Sequence, residues 1–160
     1  MARIAVTGHM NLASATIPIV YDAIRAALVP YSTDNVVVGI SCIARGADSV
    51  FAQAVLDVGG QLEVVLPSRG YREQKVKPDH IAQFDKLVER ANVRVLPFDR
   101  ANRDAYEAAN EVLLESCDRL FAVWDGGGAI DKGSTASVVH QARSRGIPVD
   151  VIWPDGAVRE

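Results

Sequence analysis

At 160 residues, 49% hydrophobic and 23% charged, the chain has the makeup of a soluble globular protein long enough to bury a sizeable core in one domain. Its 20 Asp and Glu outnumber 17 Lys and Arg for a net charge of −3, which argues against non-specific nucleic-acid binding. No apolar run approaches the roughly 20 residues that span a bilayer, so a membrane partner is not expected.

Six short apolar runs rich in β-branched residues read as strands, near residues 3–7, 35–41, 61–66, 93–97, 118–124 and 148–153. Strand-like sequence from Arg3 onward argues against a signal peptide. Between the second and third runs, Val50, Phe51, Ala54, Val55 and Val58 share one helical face that Gly59-Gly60 closes. Pro78 suits a first helical turn, with Ile81, Phe84, Leu87, Val88 and Ala91 as the stripe behind it. A helix over residues 101–116 is expected to bury Tyr106, Ala109, Val112 and Leu113, and another runs over 135–144 before Gly146. Residues 154–160 are polar and read as a fraying tail. Alternating strands and helices indicate an α/β fold, a doubly wound, mostly parallel sheet with helices on both faces, Rossmann-like in architecture. Ligands of such sheets bind outside the carboxyl ends of the strands.

Three features fall at those ends. After the second run comes Ile43-Ala44-Arg45-Gly46-Ala47-Asp48, and after the fifth come Asp125-Gly126-Gly127-Gly128 and then Lys132-Gly133-Ser134-Thr135-Ala136. A strand that stops at glycine before a helix leaves free backbone N–H groups and a helix N-terminus, a setting for phosphate. Thr7-Gly8-His9 follows the first run. Gly133, Ser134 and Thr135 are candidates to cradle the anion, with Lys132 beside them; the plainer alternative is an ordinary helix N-cap. Gly126, Gly127 and Gly128 would let backbone approach a ligand, and Asp125 could accept from ribose hydroxyls or simply form a turn. Arg45, with Gly46, could engage phosphate through its guanidinium; otherwise it is a surface arginine paired with Asp48. Gly8 would bring the first loop close to the ligand, while His9 could donate to phosphate or only pack over the loop. Asp48 reads as a first-turn acid rather than a catalyst, and Asn110 as ligand-facing or solvent-exposed. Residues 68–77 form a basic segment that could act as a lid, Tyr71 stacking on a base and Arg69 or Arg72 meeting phosphate, or could be merely solvated. His9, His80 and His140 lack zinc-ligand spacing, and no metal is expected. Cys42 and Cys117 read as reduced thiols, Cys42 in the core, and point to the cytoplasm.

The stretch from Gly39 through Ala44-Arg45-Gly46-Ala47-Asp48 to Gly59-Gly60 and Val64-Val65-Leu66 resembles the DprA pattern of the SLOG superfamily. Asn110, the strand ending at Asp125-Gly126, Gly133-Ser134-Thr135-Ala136, and Thr7-Gly8-His9 are similar to the small stand-alone members. That resemblance implies a Rossmann-like domain that binds a nucleotide or nucleotide-derived small molecule; some members cleave N-glycosidic bonds in nucleoside monophosphates and some bind single-stranded DNA. It also implies, by analogy alone, a homodimer. The LOG hydrolases carry a glutamate shortly after their Gly-Thr, whereas Ala136, Ser137, Val138 and Val139 stand here. The expectation is therefore a nucleotide-binding or sensor protein with no definite cofactor. A phosphoribohydrolase-like enzyme taking its acid from Asp125, Asp131 or Glu73 is the alternative, and a DNA binder the third reading.

Overall fold

The computed structural model describes residues 1–128 and 134–160. Its strands are β1 (Ala2–Gly8), β2 (Val37–Ser41), β3 (Gln61–Leu66), β4 (Ala91–Val95), β5 (Arg119–Val123) and β6 (Val149–Val151). Its helices are α1 (Thr16–Ser32), α2 (Ala47–Asp57), α3 (Tyr71–Lys75), α4 (Pro78–Glu89), α5 (Arg103–Ser116) and α6 (Thr135–Ser144). All strand pairs are parallel, in the order β4-β3-β2-β1-β5-β6. The chain winds outward from β1 to β4, then returns past its start to lay β5 against β1. Strand order reverses between β1 and β5, and the carboxyl ends of that pair form the crevice where such sheets hold ligands.

Side-chain alternation along each strand separates two cores. Ile4, Val6, Phe121 and Val123 pack on one face against Val20, Ile24 and Leu28 of α1 and Phe51 and Val55 of α2. Ala5, Ile40, Val65 and Leu120 pack on the other against Leu113 of α5 and Val138 of α6. Leu62, Val64 and Phe84 extend the first face under α4. Burial of both faces explains why β1, β2 and β5 read as continuous apolar runs rather than alternating ones.

The outer strand departs from the expected double cover. In β4, Asn92, Val93, Arg94 and Val95 are all exposed, and the strand starts two residues earlier than its apolar run. Residues 154–160 do not fray. Leu12 and Arg159 form an antiparallel bridge, Ala13 N–H donates to Val158 O at 3.1 Å, and Glu160 N–H donates to Asn11 O at 2.7 Å. The loop after β1 supplies partners for the tail's backbone, a non-local pairing that composition does not reveal.

Gly8 closes β1 where α2 and β5 meet. A Cβ there would stand 2.6 Å from Ala47 Cβ and 2.8 Å from both Val123 Cβ and Val123 O. Close packing alone requires glycine at this position, whatever the ligand. Gly8→Ala is therefore expected to destabilise the protein by about 1–3 kcal/mol in chemical denaturation, the usual cost of overpacking. A change below about 0.5 kcal/mol would mean that this corner relaxes freely.

Candidate active-site cavity at the strand crossover

A cavity of about 570 Å3 opens at the β1/β5 crevice, within the roughly 300–1,000 Å3 of small-molecule pockets. Thr7, Gly8, His9 and Trp124 form its floor at the two strand ends. Gly127, Gly128, Ser134 and Thr135 form one wall, and Asp48, Tyr71, Tyr106 and Asn110 the opposite one.

The first wall is the start of α6. Ser134 is the N-cap, its Oγ accepting from Ser137 N–H at 3.1 Å, so the expected N-cap is present and lies at the cavity edge. Upstream, Asp125 Oδ1 accepts from Gly127 N–H at 2.9 Å, and Trp124 Nε1–H donates to Gly127 O at 2.8 Å. Asp125 is thus the turn-forming aspartate. Nothing stands within 4 Å of a Cβ placed at Gly128. Gly126 lies in the same turn but does not line the cavity. Lys132 and Gly133 lie outside the described residues, as does Asp131.

The cation at this wall comes from the tail. Arg159 lines the cavity, sits 3.6 Å from Asp125 Oδ2 through NH1, and donates from Nε to Asn11 Oδ1 at 2.9 Å. Sequence reading passed over it because only the tail's return over the β1 loop brings it here. The Gly127 N–H, followed by His9 and Arg159, holds the Asp125 carboxyl below its ordinary range. It is a poor proton donor at neutral pH.

His9 is buried and ties the corner together. Its N–H donates to Val123 O and its carbonyl accepts from Ala47 N–H, both at 3.1 Å. Its Nε2 accepts from Asp125 N–H at 3.1 Å and lies 3.2 Å from Asp125 Oδ1. Burial first, then Arg159, lowers its pKa against the pull of Asp125, so the ring is neutral at pH 7. His9 therefore packs and fastens the loop, with its ring set edge-on to Trp153.

The turn between β2 and α2 is not a second anion cradle. Ile43 N–H donates to Ser41 Oγ at 2.9 Å, Ala44 N–H to Asp48 Oδ2 at 3.3 Å, and Ala47 N–H to the His9 carbonyl. Gly46, at φ +80, lies where a Cβ would meet the Met10 and His9 carbonyl oxygens at 2.6 and 2.7 Å. Its glycine serves packing. Arg45 does not reach the cavity either: it faces a separate 230 Å3 hollow with Lys77 and His80, and its NH1 lies 3.5 Å from Asp79, not from Asp48. Ile43 itself holds φ +45, strained for a β-branched residue at a cost of about 1–3 kcal/mol. Ser49 Oγ and His80 Nε2, each 3.3 Å from its carbonyl, secure that conformation.

The basic segment places its aromatic at the site and its arginines elsewhere. Tyr71 is buried against Phe84 and lines the cavity. Arg72 makes a bidentate pair with Asp85 at 2.7 and 2.8 Å, and Arg69 pairs with Asp99 at 2.9 Å. Tyr106, expected in the core, is instead partly exposed and lines the cavity with Tyr71. Cys42, also expected in the core, borders the cavity, as does Asn110. Glu73 is exposed beside Arg72. Among the described residues there is no cluster of metal-ligating side chains and no helix long and apolar enough to cross a membrane.

Asp48 is the carboxylate that sequence reading undervalued. It is partly exposed where it opens on the cavity, and desolvation by the surrounding protein raises its pKa to about 7 against the opposing Ala44 N–H bond. Nothing in the motif announces this, because the burial comes from α3 and α5.

No protein-family model and no curated protein matches the chain. Solved structures do. DNA processing protein A from Streptococcus pneumoniae superposes with a TM-score of 0.68 at 17% identity, over 94% of this chain and 50% of that one. DNA processing protein A from Helicobacter pylori, described for its single-stranded DNA binding mode, gives 0.64 at 13% identity, over 94% of this chain and 64% of that one. The Moco carrier protein from Chlamydomonas reinhardtii gives 0.55 at 17% identity, over 94% and 75%. The chain thus spans half to two-thirds of the DNA processing proteins, and it shares with all three a Rossmann-like α/β fold. The fold expected from the SLOG resemblance is the fold observed.

Asp48→Asn tests the burial of that carboxyl. A folded-state pKa above the unfolded value of 3.8 means that stability is lost as pH rises from about 4 to 7 and stays lost above. The neutral amide removes that loss. The variant is expected to gain about 2 kcal/mol more over wild type at pH 8 than at pH 5. Equal effects at both pH values would show an ordinary, ionised carboxylate.

Proposed function

We propose that the cavity between β1 and β5 binds a nucleotide or nucleotide-derived small molecule, as a binding or sensor protein of SLOG type. The anionic group lies on the Gly127–Gly128 turn and the N-terminus of α6, with Arg159 as its counter-charge. The observation that carries this reading is the cavity itself, placed at the reversal of strand order with a helix N-terminus and an arginine on one wall and phenols and an amide on the other. The phenols and the amide of that second wall suit a base and ribose. Retention without cleavage is the reading favoured by α6, which offers Ala136 and Ser137 where the hydrolases carry glutamate, and by Asp125, which is held ionised; Asp48 is the cavity carboxyl on which a hydrolysis would have to draw.

The likeness to a single-stranded DNA-binding protein keeps nucleic acid as a second reading, despite the net charge of −3, because a whole-chain sum does not describe one rim. Arg45 and Lys77 border the neighbouring hollow, where a phosphodiester chain leaving the cavity would find cations.

A ligand at 100 times its dissociation constant adds about 2.7 kcal/mol, or roughly 5–10 °C in melting temperature for a protein of this size. AMP, ADP-ribose or NAD is expected to give such a shift. Arg159→Gln should weaken the binding at least about tenfold, as loss of a charge-assisted contact does. Arg45→Ala should leave mononucleotide binding unchanged, and chromatography should show no free base. Salt-sensitive nanomolar binding of an oligonucleotide, lost in Arg45→Ala, would establish the DNA reading instead. Release of base would establish hydrolysis.

A further inference from the structure

Asp48 has a place in the cavity that phosphate binding leaves unused. Its carboxyl sits on the wall opposite α6, and its one hydrogen bond to a described residue is the contact of Oδ2 with Ala44 N–H at 3.3 Å. Among the described residues no cation accompanies it: the adjacent Arg45 turns away to Asp79, and Arg159 stands with Asp125. The groups that face it are Cys42 of β2, Tyr71 of α3 and Tyr106 of α5, with His80 of α4 bonded behind it to Ser49 and Ile43. Burial raises the Cys42 thiol and both phenols, so each of the three is neutral at pH 7. An ionised carboxylate there would have no counter-charge among the described residues and only the cavity's solvent on its partly exposed side.

We infer that Asp48 engages the ligand as a neutral carboxylic acid, donating a hydrogen bond to an acceptor at the end remote from the phosphate. The inference rests on the nucleotide reading of the same cavity and adds a demand on ligand chemistry. The group that enters between Asp48, Tyr71 and Asn110 must present an uncharged acceptor, such as a ring nitrogen or a carbonyl oxygen. A second anionic group at that end is rejected. Binding favours the protonated carboxyl, so affinity is retained below its titration and declines above it. The ordinary carboxylate range makes Asp48 ionised at pH 7; its raised value of about 7 places the change within the working range.

The test uses ADP-ribose as the probe, because its phosphodiester charges do not change between pH 6 and pH 8. Its dissociation constant, measured by calorimetry, should be about tenfold weaker at pH 8 than at pH 6. Asp48→Asn keeps a donor and should bind at both pH values with the wild-type affinity seen at pH 6. Carbon-13 NMR of the free protein should show the Asp48 carboxyl titrating near 7, and saturation with probe should move that midpoint upward. Binding that is independent of pH, or a midpoint near 4, overturns the proton-donor assignment while leaving the nucleotide reading standing. No heat with ADP-ribose, AMP or NAD at either pH overturns both. An Asp48→Asn variant that binds yet keeps the wild-type pH profile transfers the titration to another group and also refutes the assignment.

Discussion

The corner where β1 ends is the constraint on which the rest of the site depends. Gly8 has no side chain because Ala47 and Val123 occupy the space one would need. The next residue then fastens three elements at once: the His9 backbone bonds β5 through Val123 O and α2 through Ala47 N–H, and its ring accepts from Asp125 N–H. Those bonds fix the separation of β1 from β5 and the height of α2 above both. They also keep the imidazole neutral, since the position that holds the loop is a buried one beside Arg159.

From that corner the two glycine turns take different tasks. The turn after β2 is consumed internally, its amides given to Ser41, Asp48 and His9, and its strain at Ile43 held by Ser49 and His80. What it delivers to the cavity is Cys42, Ala44 and the Asp48 carboxyl. The turn after β5 gives Gly127 and Gly128 to the cavity, where no atom of the described residues stands within 4 Å of a Cβ at Gly128, and α6 begins at the cavity's edge. The cavity is therefore polarised: a helix N-terminus and Arg159 at one wall, uncharged donors and acceptors at the other. Polarity of that kind orients a ligand with one anionic end, and no metal is required for it.

The fold was legible because the strands are buried on both faces, so their apolar runs stand out and the helices between them have one stripe each. The match was close for β3 and α6, whose observed limits are those read from sequence. It was poorer for β4, an exposed edge: Ala91, read as the last position of the α4 stripe, opens the strand instead because the helix ends at Glu89, and Asn92 after it is polar. The site was legible as to which rim and which turns, since glycine after a strand has few other uses. Roles at that rim were not. Gly46 and Arg45 carry the most recognisable motif, yet one serves packing and the other points to the neighbouring hollow, because hydrogen bonds within a turn cannot be counted from residue types. Arg159 and the enclosure of Asp48 arise from contacts between distant segments, the tail over the β1 loop and α3 against α5, and local patterning holds no record of either.

Amide chemical-shift mapping with AMP tests the central claim most directly, that an anion sits on the β5–α6 turn at the crevice beside β1. The account predicts shifts concentrated at Gly127, Gly128, Ser134 and Thr135, with a smaller change at Arg159 and none at Ala47, whose N–H is already given to the His9 carbonyl. Shifts centred on Arg45, Lys77 and His80, or on no contiguous surface, would contradict it.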